Sequence, residues 1–218
     1  EVFDYVLPDI PLFRPFSDQG YEAARYLEIS LEYIKETNGY VYEFVYPKAY
    51  VVVLLELGEI AKADKLLRQI EEKYKDDRFK YAKEFSIPLV RAYYYLVTGD
   101  EKQFLGKIKS AIKHGEMFNV TYSGYWINHH MAKMFAKCLI HGIGENYIKR
   151  VIKLRNILPP SDLIGSDVWP YPVRIYTLGR FSILINGQSH ELMGKSLELL
   201  KVLLAFGGRN VPEEKLTD

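Results

Sequence analysis

Metal-ligand chemistry is the first thing the residue types suggest. His129, His130, Cys138 and His141 lie close together in the chain. Imidazole nitrogens and a thiolate are zinc-type ligands, and ligands on one helix converge at i, i+3 or i+4 spacing. Cys138 and His141 meet that spacing, with Met134 four residues before Cys138, whereas His130 lies eight residues before it, two turns away. No carboxylate or second thiolate sits nearby in sequence, so these histidines read as satisfied or exposed side chains, and no metal or other cofactor is expected. Gly194-Lys195-Ser196 has the ending of a phosphate loop, but the pattern G-x-x-x-x-G-K-S/T requires Gly at position 189, where the chain has Ser189. The pairs Glu71-Glu72, Asp76-Asp77 and Glu213-Glu214 are adjacent residues that point in different directions, as on solvated faces, and do not make acid/base couples. Nothing resembles a Ser/His/Asp or Cys/His arrangement. No catalytic residue is assigned, and the chain reads as non-enzymatic.

These side chains would be carried by helices over most of the length. After a cap at Ser17-Asp18, Tyr21, Ala24, Leu27, Leu31 and Ile34 recur at helical spacing up to a stop at Asn38-Gly39. An apolar run over 40–57 follows, with Pro47 as a kink or restart. Further helices are predicted over 59–74, 78–97 (kinked at Pro88), 101–113, 122–141 and 145–157, the last closed by Pro159-Pro160. The pattern around Gly58, Gly99 and Gly142 repeats, at intervals of 41 and 43 residues. Leu55, Leu96 and Leu139 each stand three before their glycine, and Leu67, Ile108 and Val151 nine after it. Such spacing predicts stacked helix hairpins; the competing reading is an irregular all-helical domain. From 159 to 172 the periodicity lapses into a Pro-, Ser- and Gly-bearing linker. Beyond it the period becomes two, with strands through Val173, Ile175, Thr177 and Phe181, Ile183, Ile185, and a turn at Asn186-Gly187. An amphipathic helix over 195–206 comes next, then Gly207-Gly208 and another helix start at Val211-Pro212. The expected organisation is therefore mainly α, with TPR-like helical repeats over 1–158, the linker over 159–172 and an α+β segment over 173–218.

Composition narrows the classes further. The 218 residues are 48% hydrophobic, enough for a sizeable core, and contain 18 tyrosines, which suit interfaces as well as packing. A single cysteine allows no disulfide framework within the chain. No long apolar run predicts a membrane span, and the first residues lack the charge pattern of a signal peptide. Without a starting Met, the chain is read as a piece of something longer. Residues 1–160 carry 23 basic and 21 acidic side chains, and residues 161–218 carry 6 and 7. Neither part has the strongly basic footprint of phosphate-backbone binding.

The run Val173-Arg174-Ile175-Tyr176-Thr177-Leu178-Gly179-Arg180-Phe181-Ser182-Ile183, followed by Ile185-Asn186-Gly187, is similar to the start of an OmpR/PhoB-type winged helix. Leu197-Glu198-Leu199-Leu200-Lys201 and the stretch from Gly207 to Leu216 resemble that family's first helix and the start of its helix-turn-helix. Leu54-Leu55-Glu56-Leu57-Gly58-Glu59-Ile60-Ala61-Lys62-Ala63 resembles a TPR turn, in the longer form found in maltose-regulator-type activators. Tyr147 to Asn156 resembles the last repeat helix before the linker in such proteins. Together these resemble the C-terminal part of bacterial regulators that combine a STAND-type ATPase, TPR-like repeats and a winged helix. Only Gln188 to Ser196 separate the Asn-Gly turn from the next helix, fewer residues than the family usually has. The recognition helix is expected beyond Asp218, so no DNA-contacting residue is assigned.

The resemblance implies a bacterial, cytoplasmic transcription regulator without membrane attachment. Its repeats would sense a small-molecule or peptide effector, and its completed winged helix would bind promoter DNA, in a chain able to homo-oligomerise. Tyr42, Tyr46, Tyr50, Arg91, Tyr94, Tyr125 and Trp126 are the candidates for the effector groove, with core packing as the competing role. The alternative function is a protein-interaction scaffold whose winged helix docks protein and has no DNA affinity. The near-neutral charge of the C-terminal part keeps that alternative open.

Overall fold

The computed structural model describes residues 17–37, 40–76, 80–121, 127–208 and 211–214. The chain is mainly helical with one small antiparallel sheet, and it divides into two compact units, Glu1–Trp169 and Pro170–Asp218. Among the described residues no helix is long and apolar enough to cross a membrane.

Among the described residues, the first unit contains seven α-helices: α1 (Ser17–Thr37), α2 (Tyr40–Glu56), α3 (Ile60–Lys73), α4 (Ile87–Thr98), α5 (Glu101–Met117), α6 (Asn128–Ile140) and α7 (Glu145–Arg155). The second half of α2 is apolar all round, and Val51, Val52, Val53, Leu54 and Leu55 are all buried. A helix with no polar face must be covered on several sides. α2 is covered by α1, α3 and α4. Each fully buried aliphatic side chain there contributes about 1.5–3 kcal/mol. α3 has the opposite character: Ala63, Leu67 and Ile70 form one buried stripe, and most of its other residues are charged or polar.

The three glycines of the repeated sequence pattern adopt one backbone solution. Gly58, Gly99 and Gly142 have φ of 75°, 79° and 64°. In each case the following N–H donates to the carbonyl five residues back: Glu59 to Leu54 (2.9 Å), Asp100 to Tyr95 (3.0 Å) and Ile143 to Cys138 (2.8 Å). This closure satisfies an otherwise orphaned helix-end carbonyl and needs a left-handed residue, which glycine supplies without steric cost. It lets α3, α5 and α7 fold back on α2, α4 and α6. The equivalent positions on the returning helices, Leu67, Ile108 and Val151, are each fully buried.

The two prolines inside predicted helices act differently. α2 runs through Pro47 without a break. Before Pro88 the chain forms a π-helical turn, Ala82–Ser86, and α4 starts with Pro88 in its first turn. Proline has no N–H to donate and its ring crowds the carbonyl four residues back, so the preceding turn widens. The predicted sixth helix begins later than expected, at Asn128, and its first predicted residues, 122–126, lie outside the described residues, as does the Asn38-Gly39 stop.

In the second unit β1 (Val173–Tyr176), β2 (Ser182–Ile185) and β3 (Gln188–His190) form an antiparallel sheet in the order β1-β2-β3. Val173 pairs with Ile185 and Ile175 with Ile183. Asn186 and Gly187 both have positive φ (50° and 80°), the geometry of the tight hairpin turn their types predict. β3, absent from the sequence reading, is too short and polar to show alternation. It occupies part of the short interval before α8 (Lys195–Ala205).

Candidate functional site

Of the seven candidate groove residues, the side chains of Tyr46, Tyr50, Arg91 and Tyr94 are described. Tyr125 and Trp126 lie outside the described residues, as does the side chain of Tyr42 on α2. Tyr46 and Tyr50 are half-buried on α2, and the Tyr50 hydroxyl donates to Glu28 on α1. Burial and the Glu28 carboxylate both hold the Tyr50 phenol above its ordinary value. Arg91, 5% exposed on α4, is committed to α3. Its Nε and Nη2 donate to the two carboxylate oxygens of Glu71 at 2.9 and 2.6 Å, and Nη1 donates to Asp64 at 2.6 Å. That bond with Arg91 holds the Asp64 carboxyl below its ordinary value. The Arg91 guanidinium also lies over the half-buried ring of Tyr94, 5.2 Å from its centroid. These contacts make Arg91 a strut between α3 and α4.

A different set of side chains converges where the ends of α2 and α6 meet α4. Glu56 is the last residue of α2, held there by the Gly58 turn. Tyr93 comes from the middle of α4, and His129 and His130 from the first turn of α6. The Tyr93 hydroxyl donates to Glu56 Oε1. His130 Nε2 lies 3.0 Å from Glu56 Oε1, and His129 Nε2 lies 3.8 Å from Oε2. The two imidazoles pack edge to face, with centroids 3.8 Å apart, and Tyr93 lies 4.6 Å from the His130 ring. One donor nitrogen from each histidine and one Glu56 oxygen all fall within 4.8 Å of one another.

The electrostatics follow from the burial. The His129 and His130 imidazoles hold the Glu56 carboxyl well below the usual carboxylate range, against the opposing effect of burial. Burial pushes His130 below its ordinary value, with Glu56 acting the other way. His130 is 3% exposed, and neither of its ring nitrogens makes a hydrogen bond of acceptable geometry among the described residues. Its Nε2 is close enough to Glu56 for ionic attraction but poorly aligned for donation. The small void beside it, about 10 Å³, is walled mostly by apolar side chains such as Val52, Leu89 and Met134, together with Tyr93.

His129 leads from this cluster to open space. It is one lining residue of a cleft of about 790 Å³ along α6. Ala132, Lys133 and Ala136 form the α6 side, and Leu158, Pro159 and Asp162 lie on the segment after α7. None of the described groove candidates lines it.

The sequence reading paired Cys138 with His141. The structure separates their environments: Cys138 is fully buried, whereas His141 is half-exposed, 3.7 Å from Glu101. Burial alone pushes the Cys138 thiol up to about 12, away from the thiolate that a metal requires. The missing carboxylate is Glu56, from a helix far away in the chain. A signal for it existed, since Glu56 is the one charged residue following the buried run from Val51 to Leu55. Tyr93 gave no comparable signal among the neighbouring Tyr94 and Tyr95. Lys195 and Ser196 start α8 after a three-residue strand, a poor context for a phosphate loop. No family model matches the chain, and no curated protein or solved structure matches it.

Proposed function

We propose that the chain is the regulatory segment of a transcription regulator of the STAND ATPase/TPR/winged-helix type. In this reading the helix pairs α2/α3, α4/α5 and α6/α7 are stacked repeats that bind a small-molecule or peptide effector. The segment from β1 through α8 is then the opening part of a winged-helix domain that binds promoter DNA. The observation that carries the reading is the cleft along α6. Its second wall, from Asn156 to Asp162, belongs to the same stretch of chain that continues into the β1–β2–β3–α8 unit. An effector that contacts both walls favours one placement of that stretch over another. It can therefore shift the population of states available to the domain that follows. The shared closure at Gly58, Gly99 and Gly142 supports true repetition. The β-hairpin followed by a helix supports the winged-helix assignment. Leu199 on α8 and Phe206 at its C-terminal end remain 45% and 50% exposed, as expected of a helix that packs against more of its own domain.

The test is duplex-DNA binding by the natural protein containing this segment and the whole winged helix, at low and moderate salt. Affinity that falls steeply with salt is the expected outcome, because phosphate contacts release counterions. Absence of binding at low salt overturns the DNA-binding reading. It would favour the scaffold alternative, which the near balance of 6 basic and 7 acidic residues over 161–218 already supports.

A further inference from the structure

We propose that Glu56, His129 and His130 form a binding site for one divalent transition-metal ion of the zinc class. Two imidazole nitrogens and a carboxylate oxygen match the donor set of open zinc sites, which use three protein ligands and keep a fourth position free. With metal–ligand bonds of about 2.0–2.1 Å, tetrahedral ligands stand roughly 3.3–3.4 Å apart. His130 Nε2 lies 3.0 Å from Oε1 of Glu56, and His129 Nε2 lies 3.8 Å from Oε2 of the same carboxylate. With one atom from each residue, including a single Glu56 oxygen, the three donors all lie within 4.8 Å of one another. Small side-chain rotations are enough to close the triangle on an ion. Calcium and magnesium are poor occupants, because they demand all-oxygen shells.

A second and independent observation is His130 itself. A buried imidazole with neither nitrogen hydrogen-bonded is a costly arrangement, and His130 is 3% exposed with both nitrogens in that condition among the described residues. Its other side is walled mostly by apolar side chains, and the polar groups it faces are Glu56, His129 and Tyr93. Coordination of an ion between the three supplies the missing partner. Tyr93 then has the outer-shell role, its hydroxyl donating to Glu56 Oε1 and fixing the carboxylate in place. The site also has an entry path. The His129 side chain is 41% exposed and lines the cleft along α6, so the fourth position is reachable by water or by an anionic ligand. Metal binding here does not depend on DNA binding.

The experiment uses the full chain, stripped with chelator and dialysed, and titrates Zn²⁺ alone by calorimetry at neutral pH. Co²⁺ absorption in the visible is the second readout. The expected result is one ion per chain, cobalt bands characteristic of low coordination number, and a Tm that rises with zinc. E56Q and H129A each weaken binding on the order of 100-fold or more, abolish the cobalt bands and remove the Tm rise. Both positions are partly exposed, so these variants keep the fold, which far-UV circular dichroism verifies. H141A, altering a half-exposed histidine beside Glu101, leaves binding unchanged. No stoichiometric binding overturns the proposal and leaves a histidine–carboxylate ion pair. Binding that survives both E56Q and H129A places the metal elsewhere and overturns it equally.

Discussion

Replacing Arg91 with Met tests whether that residue is a strut or a groove residue. The substitution keeps the aliphatic stem and removes the guanidinium, with its three bonds of 2.9, 2.6 and 2.6 Å to Glu71 and Asp64. Breaking a buried ion pair typically costs about 3–5 kcal/mol, because an unpaired charge is left behind. Here the abandoned charges are carboxylates with side chains 21% and 36% exposed, so water takes over part of the lost solvation. Asp64 also keeps Arg68 at 2.8 Å. The expected loss is therefore about 2–3 kcal/mol, smaller than in the fully buried case. For a chain of this size that lowers Tm by roughly 4–12 °C. R91K retains the charge but cannot span both carboxylates as a fork, and about half the loss is expected to remain. Urea unfolding followed by far-UV circular dichroism measures the differences, and a cycle with E71Q isolates the pair, with a coupling of about 1–2 kcal/mol. If R91M unfolds within about 0.5 kcal/mol of the parent, the strut argument is refuted and Arg91 is free to serve a ligand.

Two further predictions rest on single positions. Lys48 is fully buried on α2, and burial pushes its ammonium from the ordinary 10.5 to about 6. Between those values the unfolded chain holds a proton that the folded chain does not, so stability rises with pH across the window, by up to about 1.4 kcal/mol per unit. K48M removes that slope and is more stable at pH near 7; parallel urea midpoints for the two chains from neutral to alkaline pH would contradict the assignment. Gly144 and Gly106 should respond in opposite directions to Ala. At Gly144, with φ of 56°, a Cβ would sit 2.2 Å from Ile112 Cγ2, and a loss of about 2–4 kcal/mol is expected. At Gly106, inside α5, a Cβ meets nothing within 4 Å, and a gain of about 0.5–1 kcal/mol is expected. Thermal unfolding of both variants checks the pair, and equal responses would contradict it.

The helices and their turns were legible because their signals are local. Apolar periodicity, a glycine at each helix end and proline positions are properties of neighbouring residues, and they located α3, α5 and α7 to within a few residues at the described ends. The Asn186-Gly187 turn was legible for the same reason. Proximity across the chain was not legible. Arg91 is a groove candidate in the sequence because it lies with Tyr94 on the long first helix of a repeat. Nothing local to Arg91 reveals that Asp64 and Glu71, one helix earlier, lie opposite its guanidinium. The histidine pair was discounted for want of a carboxylate, and that carboxylate was present at Glu56, brought over only by the packing of α2, α4 and α6.

The placement of that cluster bears on how binding and folding are divided in this chain. The returning helices α3, α5 and α7 contribute fully buried aliphatic anchors, Leu67, Ile108 and Val151, whose role is packing. Glu56, Tyr93, His129 and His130 all come from the other set, α2, α4 and α6. A bound ion there ties the C-terminal end of α2 to the N-terminal turn of α6 across α4. It would stiffen those three helices against each other without altering the glycine turns that hold each pair together. Because α6 is also a wall of the cleft, an ion between α2 and α6 would stiffen that wall, and if the cleft takes an effector, as proposed, the ordering cost of binding it would fall. The cleft and the cluster share one helix, and His129, which lines the one and belongs to the other, is the residue whose replacement tests whether the two proposed sites are coupled.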